Sequence, residues 1–412
     1  MGCGVTELMA DFTQLITNLQ ADVDAADSDT SMRDILALLY RGSKITTFHK
    51  WYDSASVLPI DSAYGGYIAF TKSDNALRVF NDSDMRWAAL DSALPPPPPD
   101  AAPYQGSNFG YAMGGYPTRN TIEKYSYSSD GNTTDVGDMT QSKLYLAGSS
   151  SSAHGYAAGG QTGPTSSQNV IEKFTFPSDA NASDVGDLTV PRSRLGGATG
   201  QTHGYGVAGN GPLSPNTPAS FINTVDKYAY ATDGNATDVG DITEIKYGLA
   251  MGTMASTENA YSAGGRLFSP SSVYSNVIDK WPLSTDTNAA DVGDLTVGRG
   301  DIASASSSDT HGYASGGVDP TSPNPVSPFW QPTIDKWAFA SDGNATSVGN
   351  ITGPGTAGVR YRAGTQSTTH GYSHGGNPNV NVIEKFPFAT DTDATDVGDL
   401  SSSGNGMTGA QY

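Results

Sequence analysis

Four histidines recur in the same phrase, His-Gly-Tyr, at positions 154, 203, 311 and 370. Imidazole is a common metal ligand, so a repeated histidine raises the question of a metal site. The four occupy equivalent places in successive copies of a repeat, and a ring radius would separate them unless they line a central channel. We therefore expect them to pack or to form hydrogen bonds, and we predict no metal site and no cofactor. His374 breaks the pattern.

Six acid–lysine pairs are the next residues that could do chemistry. A catalytic acid is needed once, and these pairs recur once per repeat. Because neighbouring residues of a strand point to opposite faces, we expect each pair to contact an adjacent strand or repeat unit. We find no acidic residue unique to one unit at a predicted channel mouth, so we predict that the protein is not an enzyme and has no catalytic residues. The pairs are Glu123-Lys124, Glu172-Lys173, Asp226-Lys227, Asp279-Lys280, Asp335-Lys336 and Glu384-Lys385.

Turns rich in Asp and Asn, such as SDGNAT, raise the alternative of calcium binding, although no EF-hand spacing is present. Asparagines at 132, 181, 235 and 344 match Asn-x-Ser/Thr, and we interpret them as turn residues. The single cysteine, Cys3, excludes an internal disulfide framework.

Composition restricts the function classes further. The 412 residues include 49 glycines and only 16% charged residues, which disfavours helical bundles and favours a turn-rich all-β protein. A net charge of −20 argues against nucleic-acid binding, which needs clustered Lys and Arg. No apolar run approaches the roughly 20 residues of a membrane helix, so we predict no membrane insertion.

A repeat positions all of these residues. Six copies of the His-Gly-Tyr phrase, some degenerate, start at 109, 154, 203, 259, 311 and 370. Each is followed by a phrase like NVIEKFTF and then by one like SDGNATDVGDLT, and a stretch of small residues such as Leu195–Thr202 precedes the next copy. Four short strands per unit, with the small-residue strand innermost, indicate the blade of a β-propeller.

The last residues of the sequence predict how the ring closes. Gly406–Tyr412 aligns with Leu195–Gln201, the innermost strand of a following blade, although no further blade follows. We expect this segment to pair with the first blade, which gives six blades and leaves no open edge.

The blades resemble kelch repeats. Gly159–Gly160, the aromatic Phe174 and Val190-Pro191-Arg192 match the kelch doublet, aromatic and turn, with Val297-Gly298-Arg299 as a looser copy. The HGYxxGG and SDGNATDVGD phrases together are similar to propeller proteins of marine bacteriophages. That resemblance implies a virion structural protein of the fibre, collar or decoration type, on the exterior of the particle.

The turn Ser128–Thr134 resembles the Asp box of sialidases, but it lacks the glycine of that box at Asn132 and its tryptophan at Asp135. No arginine triad for a sialic acid carboxylate can be assembled from the sequence. A carbohydrate-active propeller enzyme and a kelch-type adaptor that binds a partner protein are the alternatives to a structural protein.

Residues 1–94 lack the repeat and are predicted to form a small α+β attachment domain. Apolar residues from Leu8 to Val23 are spaced as in an amphipathic helix, and a second helix is predicted over Ser31–Arg41. Gly66–Thr71 and Ala76–Phe80 are predicted to form a β-hairpin, followed by a short strand at Met85–Leu90. The helix spacing is compatible with a homotrimeric bundle.

The predicted fold is therefore all-β: a six-bladed kelch-like propeller over residues 105–412, closed by its C-terminal strand. A proline-rich linker, 95–104, separates it from the domain of two helices and a hairpin. We expect residues 1–94 to bind other virion proteins. The loops after the Gly-Gly doublets vary in length, as in binding surfaces, and we expect them to bind host-surface polysaccharide or protein, or a sister subunit. Their candidate binding residues are Phe221, Phe268, Tyr274, Phe329 and Trp330.

Overall fold

The computed structural model describes strands at 48–52, 68–71, 76–81 and 86–89, and then residues 105–412. Within the latter range it leaves out 165, 177, 212–220, 250–253, 268–272, 303, 320–329 and 353–359. The chain divides into two compact units, Met1–Pro98 and Pro99–Tyr412, and each is described by itself.

The first unit contains a four-stranded sheet in the order β1-β2-β3-β4. Its strands are β1 (Phe48–Tyr52), β2 (Ile68–Thr71), β3 (Ala76–Asn81) and β4 (Arg86–Ala89). Strands β2 and β3 form the predicted antiparallel hairpin, and β4 is the predicted short strand beside it. Strand β1, parallel to β2, is an addition that the sequence pattern did not predict. Both predicted helices lie outside the described residues.

The second unit is a six-bladed β-propeller, as predicted. Blade 1 contains β5 (Phe109–Met113), β6 (Arg119–Ser126), β7 (Thr134–Lys143) and the C-terminal β29 (Thr408–Gln411). Blade 2 contains β8 (Ala147–Ser150), β9 (His154–Ala158), β10 (Val170–Thr175) and β11 (Ser183–Asp187). Blade 3 contains β12 (Gly196–Thr199), β13 (His203–Asn210), β14 (Phe221–Ala229) and β15 (Thr237–Asp241).

The other three blades follow the same order. Blade 4 has three described strands, β17 (Asn259–Ala263), β19 (Val277–Pro282) and β20 (Ala290–Asp294), and a separate pair is formed by β16 (Lys246–Tyr247) and β18 (Arg266–Leu267). Blade 5 contains β21 (Ser304–Ser307), β22 (His311–Ser315), β23 (Thr333–Ala338) and β24 (Thr346–Asn350). Blade 6 contains β25 (Ala363–Gln366), β26 (His370–His374), β27 (Val380–Pro387) and β28 (Thr395–Gly404).

The C-terminal strand closes the ring on the first blade, as predicted. Strand β29 pairs antiparallel with β5, from Thr408 opposite Met113 to Gln411 opposite Gly110. Met407 and Ala410 are buried in the adjoining cores. Blade 1 is thus assembled from the two ends of the propeller sequence, and neither end leaves an unpaired inner edge.

Aromatic side chains pack successive blades together. In all blades but one, the tyrosine of the His-Gly-Tyr phrase lies against the aromatic that ends the second phrase of the next blade, because both side chains project into the same interface. Five of the six interfaces have this ring pair, with centroids 4.6 to 5.0 Å apart: Tyr111–Phe176, Tyr156–Tyr230, Tyr261–Phe339, Tyr313–Phe388 and Tyr372–Tyr127. The repeated phrases are therefore framework residues of the interfaces between blades.

The innermost strands approach one another so closely that they need glycine. A Cβ added to Gly148 would lie 2.1 Å from the carbonyl oxygen of Gly409, and one added to Gly197 would lie 2.3 Å from that of Gly148. Both contacts are with backbone, which cannot rotate away. This close approach explains the predicted crowding of the small-residue strand.

Gly148→Ala is accordingly expected to destabilise the propeller by about 1–3 kcal/mol, the usual effect of overpacking a filled core. The control is Gly163→Ala, since a Cβ there would meet nothing within 4 Å. We expect this control to change stability by less than about 1 kcal/mol. Urea unfolding followed by circular dichroism measures both, and equal midpoints for the two variants would contradict the prediction.

Candidate ligand-binding site at the central axis

The lysines of the six acid–lysine pairs bridge successive blades. Each ammonium group contacts a turn aspartate of the next blade, and the sixth closes the circle from blade 6 to blade 1. The six ion pairs are Lys124–Asp179, Lys173–Asp233, Lys227–Asp286, Lys280–Asp342, Lys336–Asp391 and Lys385–Asp130. The predicted contact with a neighbouring blade is confirmed, and it identifies these residues as part of the framework.

The acids of the same pairs are buried against a second set of cations. Each accepts hydrogen bonds from a Thr or Ser of the preceding blade; Asp226, for example, accepts from the backbone amide and hydroxyl of Thr189 at 2.8 and 2.7 Å. Five of the six acids also have a fully buried cation within 3.4 Å. These ion pairs are Lys143–Glu172, Arg192–Asp226, Lys246–Asp279, Arg299–Asp335 and Arg362–Glu384.

Two interfaces obtain this cation from an unexpected position. Arg362 occupies the position immediately before the inner strand of blade 6, and blade 2 has Leu146 at the equivalent position. The guanidinium of Arg362 lies 2.6 Å from the Glu384 carboxylate. In blade 1 the nearest cation to Glu123 is Arg119 of the same blade, 3.9 Å away. Arg119 occupies space left by Gly404, the counterpart of Lys143, since a Cβ on Gly404 would lie 2.0 Å from Arg119 Nη2.

The repeated histidines lie at the opposite end of their strands from the Gly-Gly doublets. In three of them Nδ1 is 2.8 Å from the hydroxyl of the preceding threonine, at Thr202, Thr310 and Thr369. Burial and then the nearby lysine lower the pKa of each histidine. Within the described residues, no group of three His, Cys, Asp or Glu side chains is arranged to hold a metal ion.

His374 is buried at the interface between blades 6 and 1, with Nδ1 3.4 Å from the hydroxyl of Tyr125. Burial and the charge of Arg362 lower its pKa to about 3, so the imidazole is neutral at physiological pH. The two residues that break the repeat in blade 6, Arg362 and His374, are therefore electrostatically coupled, and neither is placed to bind a ligand.

Six residues form a closed circle of backbone hydrogen bonds at the axis, on the face of the Gly-Gly doublets. We call them the axial ring; all six have positive φ, between 49° and 67°, and they are Tyr145, Arg194, Gly248, Asp301, Tyr361 and Gly406. Five amides of the ring donate directly to the neighbouring ring carbonyl. The sixth link runs from the amide of Ile302, beside Asp301, to the carbonyl of Gly248 at 3.4 Å.

The side chains of the axial ring differ from blade to blade, unlike those of the framework. The rings of Tyr145 and Tyr361 pack 4.9 Å apart, and the guanidinium of Arg194 lies 4.8 Å from the centre of the Tyr145 ring. Arg360 lies 3.8 Å from the Asp301 carboxylate and 5.2 Å from the centre of the Tyr361 ring. A sixfold backbone thus presents an asymmetric set of charged and aromatic groups.

Asp301 is the acid of this set and is only 1% exposed. Its Oδ1 has no hydrogen-bond partner among the described residues. Burial raises the pKa of the Asp301 carboxyl, and the positive charges of Arg194, Arg360 and Arg266 oppose that rise. The expectation that no blade contributes a unique acid at the axis is therefore wrong. Sequence alignment of the phrases missed Asp301 because it lies in the linking segment between blades 4 and 5, outside them.

A cavity of about 480 Å³ adjoins the axial ring between blades 6 and 1. The two shortest loops after the Gly-Gly doublets flank it, which leaves the space open. Two tyrosines and three asparagines line it: Tyr116, Tyr145, Asn377, Asn379 and Asn405. Asn405 Nδ2 donates to Asn379 Oδ1 at 2.5 Å, and Tyr116 is 51% exposed. The cavity offers flat aromatic surfaces beside amide donors and acceptors.

Three of the predicted binding aromatics are among the described residues, and these three lie on the same face as the cavity. Phe221 packs on Tyr247 with centroids 4.9 Å apart, and Arg266 lies over both Tyr247 and Tyr274 at 5.8 and 5.6 Å. Trp330 bridges to Val318 and is half-buried. Phe268 and Phe329 lie outside the described residues. Of the predicted binding residues, the described ones, Phe221, Tyr274 and Trp330, do not line the cavity. Sequence reasoning missed its tyrosines and asparagines because they belong to the short loops and linking segments.

No model of a known protein family matches this chain, and no curated protein matches it. The class is therefore defined by the structure alone, which is that of a six-bladed β-propeller with an asymmetric axial site. In the part of the chain that the structure describes, no helix has the length and apolar character needed to cross a membrane.

Proposed function

We propose that the protein is a non-enzymatic virion structural protein whose propeller binds a saccharide of the host surface at the cavity beside the axial ring. The observation that supports binding is the contrast between the framework contacts, which repeat in the blades, and the side chains of the axial ring, which differ from blade to blade. Ion pairs and aromatic contacts repeat around the framework, whereas the axial position is Tyr, Arg, Gly, Asp, Tyr and Gly in turn. Variable side chains on a fixed framework are typical of binding surfaces.

A saccharide fits the chemistry of the cavity. The faces of sugar rings pack on aromatic side chains, and asparagine amides offer both donors and acceptors to hydroxyl groups. The attachment role of residues 1–94 is proposed from the resemblance of their hairpin to attachment modules of phage fibre and collar proteins. The exterior position on a phage particle is proposed from the resemblance of the repeats to phage propellers.

A carbohydrate-active enzyme is the second candidate, and Asp301 is the observation that favours it. A buried carboxyl with a raised pKa has the property of a general acid. Hydrolysis of a glycoside generally needs a second carboxylate about 5–10 Å away, and the axial ring contains only one. We therefore favour binding without turnover.

Glycan binding is expected to depend on the cavity. The experiment measures binding of the full chain to a panel of bacterial surface polysaccharides and assays the same mixtures for released reducing ends. Tyr116→Ala and Asn379→Ala should weaken binding about tenfold or more, since each removes a wall of the cavity. Val190→Ala, an exposed residue outside the cavity, is the control. Release of reducing ends that is lost in Asp301→Asn would establish the enzyme instead.

The virion position has its own test. Gold-labelled antibody against the propeller should label the outside of intact particles that contain the chain. Label that appears only after particles are disrupted would contradict exterior display.

A further inference from the structure

The basic residues of the propeller are almost all neutralised by ion pairs. Residues 105–412 contain 15 Lys and Arg, and 13 of them have a carboxylate oxygen within 4 Å in the described structure. The two without such a partner are Arg194 and Arg266. In a chain with a net charge of −20, carboxylates outnumber basic groups, so two arginines without a carboxylate partner are unusual.

Both unpaired arginines lie on the face of the axial ring, and aromatic rings hold them. Arg194 is itself a ring residue and lies against Tyr145, which lines the cavity. Arg266 is held between Tyr247 and Tyr274. Stacking of a guanidinium on an aromatic face fixes the plane in which its N–H groups lie. Neither side chain has a carboxylate oxygen within 4 Å among the described residues, and Asp301 is the acid whose charge acts on both.

Positive charges gather around Asp301. Arg194, Arg360 and Arg266 all act on the Asp301 carboxylate, so three guanidinium groups face one acid. The charges of two other acids act on buried framework cations: the Glu244 carboxylate lies 3.5 Å from the ammonium group of Lys246, and that of Asp319 acts on Arg299.

We propose that the saccharide bound at this site is anionic, with its carboxylate or sulfate group held by Arg194 beside the cavity and with Arg266 contributing further positive charge. This inference rests on the proposed function, and it adds the class of ligand and the residues that select it. A planar guanidinium can donate two parallel hydrogen bonds to such a group, and charge-assisted bonds are stronger than neutral ones. The tyrosines and asparagines of the cavity would hold the neutral part of the sugar.

The test compares one oligosaccharide with and without its charge. Isothermal titration of the full chain with a galacturonate oligosaccharide, its methyl ester and a sulfated galactan oligosaccharide separates carboxylate, neutral and sulfate ligands. We expect at least one anionic ligand to bind about tenfold more tightly than the methyl ester, the effect of one charged hydrogen bond.

Variants assign the preference to the arginines. Arg194→Gln should reduce the ratio of the affinities for the anionic sugar and its methyl ester to within about threefold, and Arg194→Lys should retain part of that ratio. Arg266→Gln tests the second cation independently if the first variant does not fold. Lys336→Gln, which removes a cation of the framework, is the matched control and should change neither affinity.

Each outcome decides between the two proposals. Equal affinity for the charged and neutral sugars overturns the anionic assignment and leaves saccharide binding intact. Failure of all three sugars and of the wider polysaccharide panel contradicts saccharide binding itself. An anionic preference that survives both arginine substitutions overturns the role of these residues.

Discussion

Removing residues 406–412 is expected to abolish cooperative folding of the propeller. Strand β29 supplies the inner strand of blade 1, and without it the edge of β5 and the adjoining side of blade 6 are both exposed. An unpaired strand edge is a template for association with other chains. Size-exclusion chromatography should show aggregates that the intact chain does not form, and thermal unfolding by circular dichroism should lose its sharp transition.

A synthetic peptide with the sequence GMTGAQY is the complementary experiment. Added in excess to the truncated chain, it should restore the transition, because a ligand that binds only the folded state stabilises that state by mass action. A scrambled peptide of the same composition is the control. A truncated chain that remains unassociated, with an unchanged melting temperature, would show that β29 does not close the ring.

Arg192→Met is expected to destabilise the propeller by about 3–5 kcal/mol, because it leaves the Asp226 carboxylate buried without its cation. Arg192 and Asp226 are both fully buried, with Nη2 and Oδ2 2.9 Å apart. Lys336→Met breaks an ion pair whose aspartate is 54% exposed, so it should change stability by no more than about 1 kcal/mol. Urea midpoints of the two variants measure the difference.

The double variant Arg192→Met with Asp226→Asn separates charge from packing. Asparagine removes the uncompensated charge and can still accept from Thr189, so the double variant should be more stable than Arg192→Met alone. Equal losses for Arg192→Met and Lys336→Met would contradict the importance of the buried pairs.

Much of the fold could be predicted because the repeated phrases encode contacts that recur in every blade. The phrase containing Lys173 predicts its contact with the next blade, and the small residues around Gly197 predict the crowded axis. The expected alternation of neighbouring residues holds along β10. Ile171 lies in the core shared with blade 3, whereas Glu172 and Phe174 contact blade 1, so both faces of the strand are buried.

The candidate site was less predictable, since its residues are those that do not repeat. Asp301 and Arg194 lie in linking segments, and their convergence depends on the closed circle of backbone hydrogen bonds rather than on any shared phrase. Arg362 shows the same limit within the framework. Arg362 supplies the buried cation that Lys143 supplies in its own interface, but its position in the repeat is three residues later than that of Lys143. The two are equivalent only in space, so a sequence alignment cannot find the equivalence.

The axial ring has a consequence for how such a protein can change. Its members are joined through main-chain atoms, and Tyr, Arg and Asp adopt the same left-handed conformation there as Gly. Substitutions at the four members that already carry a side chain can therefore alter what the axial ring presents without changing its main-chain hydrogen bonds. A Cβ at Gly248 would lie 2.6 Å from Asp301 Oδ1, and one at Gly406 would lie 2.8 Å from the ring of Tyr145. Under the proposed function, ligand choice and folding are encoded separately at these four positions, which would allow a lineage under pressure to switch ligands without rebuilding its propeller.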